Sequence, residues 1–328
     1  MRTAVIAEIG SNHGRTPEMA RSVIAAAAKA GAGFVKFQLF DPYRTYPPTA
    51  GRVSYFEEEI FSVFQKFQLN PKWLPSLKRY ASSLGLGFLC SAFDEKSYDL
   101  VDPHVSMHKI ASYEITHFPL LRHVAQKGKP ILLSTGCCEE SEVWGSVRVL
   151  EGAGRRPVLM QCTGSYPAPI VSLNLEVIRH WRSNGMTVGF SDHSAGTSAA
   201  PLAVAAGATI VEKHLTLDKR ADGPDHSFSL EPREFSQMVQ KIRNAEVLLG
   251  DGTKAVQACE TELRSFCRRS VFTTCSVERG DPLEGRLIVL RNGVHAPGEA
   301  PDTIERMESG VATCALEAWT PVRAGEWE

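Results

Sequence analysis

Three pieces of the stretch 188–232 decide the fold: VGFSDHSAG (188–196), ATIVEKHLTLDKR (208–220) and GPDHSFSLEP (223–232). Two strand-like runs, Met186–Phe190 and Ala208–Glu212, each deliver a polar cluster as they end. The first leads into Ser191-Asp192-His193 and the second into Glu212-Lys213-His214. Between them Thr197–Gly207 is small and apolar, with room for one short helix. Strand, helix and strand in that length read as a βαβ unit with parallel strands. Such a unit sets His193 and His214 side by side at one sheet edge, with Asp192, Lys213, Asp225 and His226 crowded alongside. Two imidazoles delivered that way suit one divalent metal with positions open to substrate. Histidines that merely cap loops are the plainer reading, and the charges around them weigh against it.

Outward from this stretch the pattern repeats. Thr3–Ile9 contains Glu8 and runs into the turn-rich loop Gly10-Ser11-Asn12-His13-Gly14. Thr16-Pro17 caps a helix to Ala30, with Met19, Val23, Ala26 and Ala27 at core spacing. The strand Phe34–Phe37 carries Lys36 and Gln38 at its end. Residues 40–70 form a long excursion with an acidic and aromatic helical piece, Tyr55–Phe67, and a connection of that length marks a lid or rim. A helix from Asn70-Pro71 to Leu84 precedes strand Gly87–Cys90 and Ser91. Strand Val105–Ile110 holds Lys109, with Ser112 and Glu114 just beyond. A helix near Phe118–Gln126 leads to strand Pro130–Leu133 and Ser134, and a helix Glu140–Leu150 to strand Val158–Gln161, Thr163 and Tyr166. Helix Leu173–Ser183 rejoins the opening stretch. Beyond it Glu234–Leu249 is strongly periodic, with Phe235, Met238, Val239, Ile242 and Leu249 on one stripe.

Eight strands, most followed by a helix, over about 250 residues predict a closed (β/α)8 barrel spanning 1–267, with an open doubly wound sheet as the alternative. Polar residues fall at the C-terminal ends of strand after strand, where such barrels keep their chemistry. After Gly252 the pattern changes to short β-like runs, Val271–Thr274, Leu287–Leu290 and Val311–Leu316, separated by turns. Residues 268–328 therefore read as a small β-rich domain with too little core to stand without docking.

Composition closes off other classes. The net charge is −1 and the basic residues are dispersed, so no nucleic-acid or anionic-membrane footprint is present. No apolar run approaches the roughly 18 residues of a membrane span, and the N-terminus has no signal-peptide pattern. Eight cysteines without a CxxC spacing read as free thiols of a cytoplasmic protein.

Two lysines among hydroxyls (Lys36 and Lys109 with Ser91, Ser112, Ser134 and Ser191) suit a multiply charged small anion bearing phosphate and carboxylate. A metal beside them suits polarisation of a carbonyl, and Glu8, Glu114 and Asp225 suit proton transfer. A strand-end lysine also suits a Schiff base with pyruvate, as in lyases of this fold. A non-catalytic carbohydrate-binding scaffold is disfavoured because every charged position of the mouth is intact.

The motifs AEIGSNHG, GAGFVKFQLF, KIASYEI, PILLSTG, QCTGSYPAP, VGFSDHSAG, ATIVEKHLTLDK, GPDHSFSLEP, RNAEVLLGDG and RRSVF run in order over residues 3–275. In them the chain resembles the sialic acid synthases, which condense phosphoenolpyruvate with an N-acylated hexose to make nonulosonic acids. The tail, with VERGDPL, RNGV and TPV, resembles their small antifreeze-like (SAF) domain more weakly. The resemblance implies a C–C bond-forming transferase with His193 and His214 as ligands of manganese or magnesium. It places phosphoenolpyruvate on Lys36, Ser91, Lys109, Ser112, Ser134 and Ser191, with Gln38 and Tyr166 as further substrate contacts. Glu8, Glu114 and Asp225 fall where the family has carboxylates near the sugar and the attacking water. It also implies a domain-swapped homodimer in which Arg291 reaches the partner's sugar site. Gly164 stands where many sialic acid synthases carry an asparagine, and residues 40–70 lack a clear counterpart of a sugar-contacting asparagine. The acceptor is therefore open among N-acetylmannosamine, its 6-phosphate, a 2,4-diacetamido-trideoxyhexose leading to a legionaminic or pseudaminic acid, and another aldose of a spore-coat sugar.

Overall fold

The structure, a computed structural model, describes residues 2–52 and 58–328. Eight parallel strands close into a barrel in chain order, the last pairing with the first. β1 (Ala4–Gly10) is followed by α1 (Pro17–Lys29) and β2 (Phe34–Leu39). The excursion then contributes α2 (Pro42–Thr45) and α3 (Ile60–Phe67), and α4 (Leu74–Ser83) leads to β3 (Gly87–Ala92). Next come α5 (Glu95–Val101), β4 (His108–Ile110), α6 (Phe118–Gln126), β5 (Ile131–Ser134), α7 (Glu140–Gly152) and β6 (Val158–Cys162). The barrel ends with α8 (Glu176–Ser183), β7 (Val188–Asp192), α9 (Ala199–Ala206), β8 (Ile210–His214) and α10 (Pro232–Leu249). Of the expected helix Tyr55–Phe67, residues 53–57 lie outside the described residues, and the described part begins at Ile60.

Several strands run further than their apolar residues. β3 continues through Ser91-Ala92, β5 through Ser134, β7 through Ser191-Asp192 and β8 through Lys213-His214. Strand side chains alternate between two faces, and here Ser91, Ser134, Ser191 and His214 turn inward to the mouth while the ladder continues. The inner face is stacked in layers. Ile6, Leu89, Leu132 and Met160 fill the barrel beneath the mouth, with Phe34, Met107, Val158 and Ile210 packed against them. The fit is tight at Gly189, where an added Cβ would come within 2.4 Å of Met160 Sδ and 2.9 Å of the Ile210 carbonyl. The outer faces of the strands bury against the helices in one large core.

Two helix stripes differ from the periodic reading. In α1 the buried residues are Ala20, Val23, Ile24 and Ala27, while Met19 is 42% exposed, because Ile24 takes the position facing the sheet. In α10 Phe235, Met238, Val239 and Ile242 are buried, but Leu249 at its last turn is exposed.

The chain divides into two compact units, Met1–Gly250 and Asp251–Glu328, rather than at 267/268. The helix α11 (Thr261–Cys267) belongs with the second unit, since the amides of Gly293 and Asn292 bond the carbonyls of Phe266 and Arg268. That unit pairs β9 (Arg269–Thr273) antiparallel with β10 (Leu287–Arg291) and adds a short α12 (Ile304–Glu308). Its core is small: Val271, Val277, Leu283, Leu287, Met307, Ala312, Leu316 and Val322. The expected strand Val311–Leu316 is only a set of isolated bridges, one of them to Pro282, which has no N–H to extend a ladder.

Candidate active site

Because side chains repeat every second residue, the position two beyond each layer-forming residue rises at the mouth. Glu8 stands above Ile6, Ser91 above Leu89, Ser134 above Leu132, Cys162 above Met160, and Glu212 above Ile210. They line a cavity of about 740 Å³ at the C-terminal ends of the strands.

Its floor is an ionic network. Lys36 Nζ lies 2.9 Å from Glu8 Oε2 and 3.5 Å from Glu212 Oε1, and it donates to Ser91 Oγ at 3.0 Å. Lys109 Nζ lies 3.7 Å from the same Glu212 oxygen and donates to Ser134 Oγ at 2.7 Å, which sits 3.1 Å from Ser191 Oγ. Burial works against charge on Lys36, but Glu212 and Glu8 outweigh it and hold its pKa above the usual value. Burial wins at Lys109 and lowers its pKa, with Glu212 only partly offsetting. Burial alone would raise Glu212, yet Lys109 and Lys36 keep it below the ordinary range. The floor is thus a preformed arrangement of ammonium and hydroxyl donors, its charge only partly balanced by the carboxylate both lysines share.

Two further carboxyls are poised. Burial pushes Glu8 up to about 7 despite Lys36, while Gln38 Nε2 donates to its Oε1 at 2.7 Å. Burial, with Asp94 nearby, pushes Glu114 up to about 7 as well. Carboxyl groups titrating near neutrality can both take and give protons. Asp225 Oδ2 accepts the Ser11 amide at 3.0 Å in the crook of Gly10, whose φ is +51° and where a Cβ would come within 2.4 Å of that oxygen. Only glycine leaves the carboxylate room there.

The two histidines meet as expected, with ring centroids 5.7 Å apart. His193 Nδ1 lies 2.9 Å from the Thr163 carbonyl and so donates to it, leaving a lone pair on Nε2. His214 Nδ1 is buried with no hydrogen-bond partner, 3.9 Å from Asp225 Oδ2. Burial first, then the nearby His214 at His193 and Lys36 at His214, lower both imidazoles to about 3. Both are neutral lone-pair donors at physiological pH. Tyr166 packs on His193 at 4.2 Å and on Phe228 at 5.0 Å, walling this side.

Every barrel residue singled out from the sequence as a substrate, acid–base or metal contact lines this one cavity, including Ser112, whose Oγ accepts the Gly136 amide at 2.9 Å. Three sequence readings change. Asp192 and Lys213 do not crowd the histidines but point to the opposite face, paired with each other at 2.9 Å. His226 turns to Thr216 Oγ1 at 2.7 Å. Thr163 contributes its carbonyl, while its hydroxyl donates to the Ser172 carbonyl. Arg291 lies exposed at the end of β10 in the second unit. Sequence reasoning passed over Glu212 as a site residue, although its spacing of two from His214 signals the same face. It also passed over Cys162, 3.6 Å from His193 Nδ1, and over the aromatic residues of the excursion.

The NeuB family profile matches residues 23–254. The spore coat polysaccharide biosynthesis protein SpsE of Bacillus subtilis is 38% identical over 329 residues, covering 94% of this chain and 88% of that protein. An N,N'-diacetyllegionaminic acid synthase of Legionella pneumophila is 34% identical, covering 98% and 93% respectively. Among solved structures, the N-acetylneuraminic acid (sialic acid) synthetase of Leptospira borgpetersenii superposes with a TM-score of 0.74 at 30% identity, covering 80% of this chain and 90% of that one.

Proposed function

The chain belongs to the NeuB family of nonulosonic acid synthases, and from that premise we propose that it condenses phosphoenolpyruvate with an N-acylated amino sugar and releases phosphate. The floor of the cavity carries this reading: Lys36 and Lys109 flanking Glu212, with Ser91, Ser134 and Ser191 as donors, beneath two neutral imidazoles. Phosphoenolpyruvate presents a phosphate and a carboxylate to those donors, and the open-chain aldehyde of the sugar lies above its C3. C3 attacks the aldehyde carbon, water adds at C2, and the phosphate departs with its bridging oxygen. Glu8 and Glu114, held near neutrality, supply and remove the protons of the sugar oxygen and the attacking water.

His193 and His214 fit a divalent metal such as manganese or magnesium: both are neutral, His214 has an unpartnered buried nitrogen, and His193 has its Nε2 free. Among the described residues no third histidine, cysteine or carboxylate completes a ligating group, which leaves positions for water and substrate. When bound, the metal would polarise a carbonyl oxygen. A swapped dimer, in which Arg291 completes a second chain's acceptor site, is part of the same reading.

The test is phosphate release from phosphoenolpyruvate against a panel of amino sugars, with borohydride trapping in parallel. Sugar-dependent release without a trapped lysine adduct is the expected result. A pyruvate adduct on Lys109 would instead establish a Schiff-base lyase.

A further inference from the structure

Asp225 reaches the cavity from a loop that has no strand or helix of its own, between the end of β8 at His214 and the start of α10 at Pro232. The two ends of this loop meet at a neck. There the Leu230 amide donates to the His214 carbonyl at 2.9 Å, and the Thr216 amide donates to the Leu230 carbonyl at 3.0 Å. The neck closes the loop, yet Asp225 lies beyond it, so its position rests on what grips the residue itself.

That grip comes from the turn after β1. The Ser11 amide donates to Asp225 Oδ2 at 3.0 Å and holds the carboxylate. The carbonyl of Asp225 accepts the Ser229 hydroxyl, and Ser229 Oγ in turn accepts from Asn12 Nδ2 at 2.9 Å. The same Asn12 nitrogen donates to the Leu215 carbonyl at 3.0 Å, where the loop begins. One carboxamide thus spans both sides of the neck, and through Ser229 it reaches the backbone of Asp225.

Asparagine suits this place on chemical grounds. The Leu215 carbonyl can only accept, so the NH2 end of the amide must face it, and its two N–H groups serve two acceptors at once. An aspartate would set an anionic oxygen against that carbonyl, and an alanine would leave both acceptors without this donor. Asn12 is 1% exposed, and its Oδ1 is buried with no hydrogen-bond partner. An unpaired buried oxygen lowers stability, so the contribution of this side chain lies in what its donors hold. Neither Asn12 nor Ser229 lines the cavity, and any effect they have on the reaction passes through Asp225.

We infer that Asn12, acting through Ser229, is a positioning residue for Asp225. It keeps that carboxylate on the Ser11 amide, 3.9 Å from His214 Nδ1, where the reaction needs it. The inference rests on the synthase reading.

Two variants test it, Asn12→Ala and Ser229→Ala, the second of which removes a single oxygen. Phosphate release and residue-resolved hydrogen exchange are measured on both. Because a shift of about 1 Å in a reacting group costs up to roughly 100-fold, kcat should fall by on the order of 10- to 100-fold in Asn12→Ala and by less in Ser229→Ala. KM for phosphoenolpyruvate should stay near the wild-type value, since Lys36 and Lys109 keep their own partners on the floor. The Ser11 amide, whose acceptor is the Asp225 carboxylate, should exchange faster in Ser229→Ala, although that substitution is far from it in sequence. Amides of β5 and β6 should keep their rates. Wild-type kcat in Asn12→Ala, or a Ser11 amide that exchanges at the wild-type rate in Ser229→Ala, overturns the inference and leaves the synthase reading standing. If Asn12→Ala does not fold, Ser229→Ala decides on the same two measurements. Wild-type protein that releases no phosphate with any amino sugar of the panel defeats the synthase reading and this inference together.

Discussion

Glu212 sits between two ammonium groups that would otherwise repel each other in a buried site. Under the proposed reading, phosphoenolpyruvate brings its own negative charges to both ammonium groups, so each lysine gains a second anionic partner. Replacing Lys36 or Lys109 by Met should raise the apparent KM for phosphoenolpyruvate by roughly 10- to 150-fold and that for the sugar far less, since one charge-assisted contact is lost. Steady-state kinetics with each substrate varied in turn checks this. Glu114 makes a second prediction. Burial and Asp94 hold it near 7 in the folded protein against 4.5 unperturbed. Under the proposed reading it is the base for the attacking water, competent only when ionised, so kcat/KM should fall as the pH drops below about 7, and Glu114→Gln should lose that limb of the profile. Its effect on stability has the opposite sense: the raised pKa favours the folded state fully below about 4.5, and the advantage is lost as the pH rises through about 7. For the histidines, His193→Ala or His214→Ala should abolish manganese binding, read by titration calorimetry, while the far-ultraviolet circular dichroism stays that of the wild type. Wild-type affinity in either variant would remove the metal assignment.

At the scale of the element, the ends of β7 and β8 deliver His193 and His214 to the mouth and hold an ion pair facing away from it. Asp192 and Lys213 are neighbours in the β7–β8 register, each about 1% exposed, and each adjacent in sequence to one of the two histidines. Asp192 Oδ1 accepts the Ser194 amide at 2.9 Å and its hydroxyl at 2.6 Å, while Lys213 also donates to the Ser194 carbonyl. The pair satisfies the turn that leaves β7, and so ties the two strand ends behind the site. Lys213→Met strands a buried carboxylate and should cost about 3–5 kcal/mol of unfolding free energy by urea denaturation. Replacing both partners by apolar residues of similar size should recover a large part of that loss, because no charge is then left buried alone. A single variant as stable as the wild type would show that the pair contributes little.

At the scale of the whole molecule, the barrel unit has a continuous core, while the second unit packs only a few apolar residues around β9 and β10. A unit with so small a core gains much of its stability from whatever it docks against. Under the swapped-dimer reading, Arg291→Ala and Glu114→Gln disable different parts of each composite site. Mixing the two inactive variants should restore activity, since a mixed dimer holds one site with both residues intact. Turnover assays on the mixture, after exchange of subunits, check this. No recovery would mean that Arg291 serves no second chain.

The periodicity of the chain alone determined that eight strands alternate with helices, and that Glu8, Lys36, Lys109, His193 and His214 come to one mouth. This is so because a parallel βα repeat leaves the strand ends little choice of side. Sequence also brought the lysines and hydroxyls to that same mouth, and the structure gathers them on one floor. Tertiary structure alone decided which neighbour of each pair faces inward. Glu212 became part of the floor, a face its spacing of two from His214 implied, while Lys213 and Asp192 became a buried pair behind it, a pairing that only the β7–β8 register brings about. Closure of the barrel brought Phe40, Phe64 and Phe93 together from segments far apart in sequence, and with them an apolar wall of the cavity. The local pattern of the excursion marked a rim, but the pairing of Phe40 with Phe64 inside it and with Phe93 beyond β3 required the folded chain. The weak pairing of 311–316 was likewise beyond the sequence pattern, because a strand needs a partner with free backbone donors, and Pro282 opposite Val311 has none.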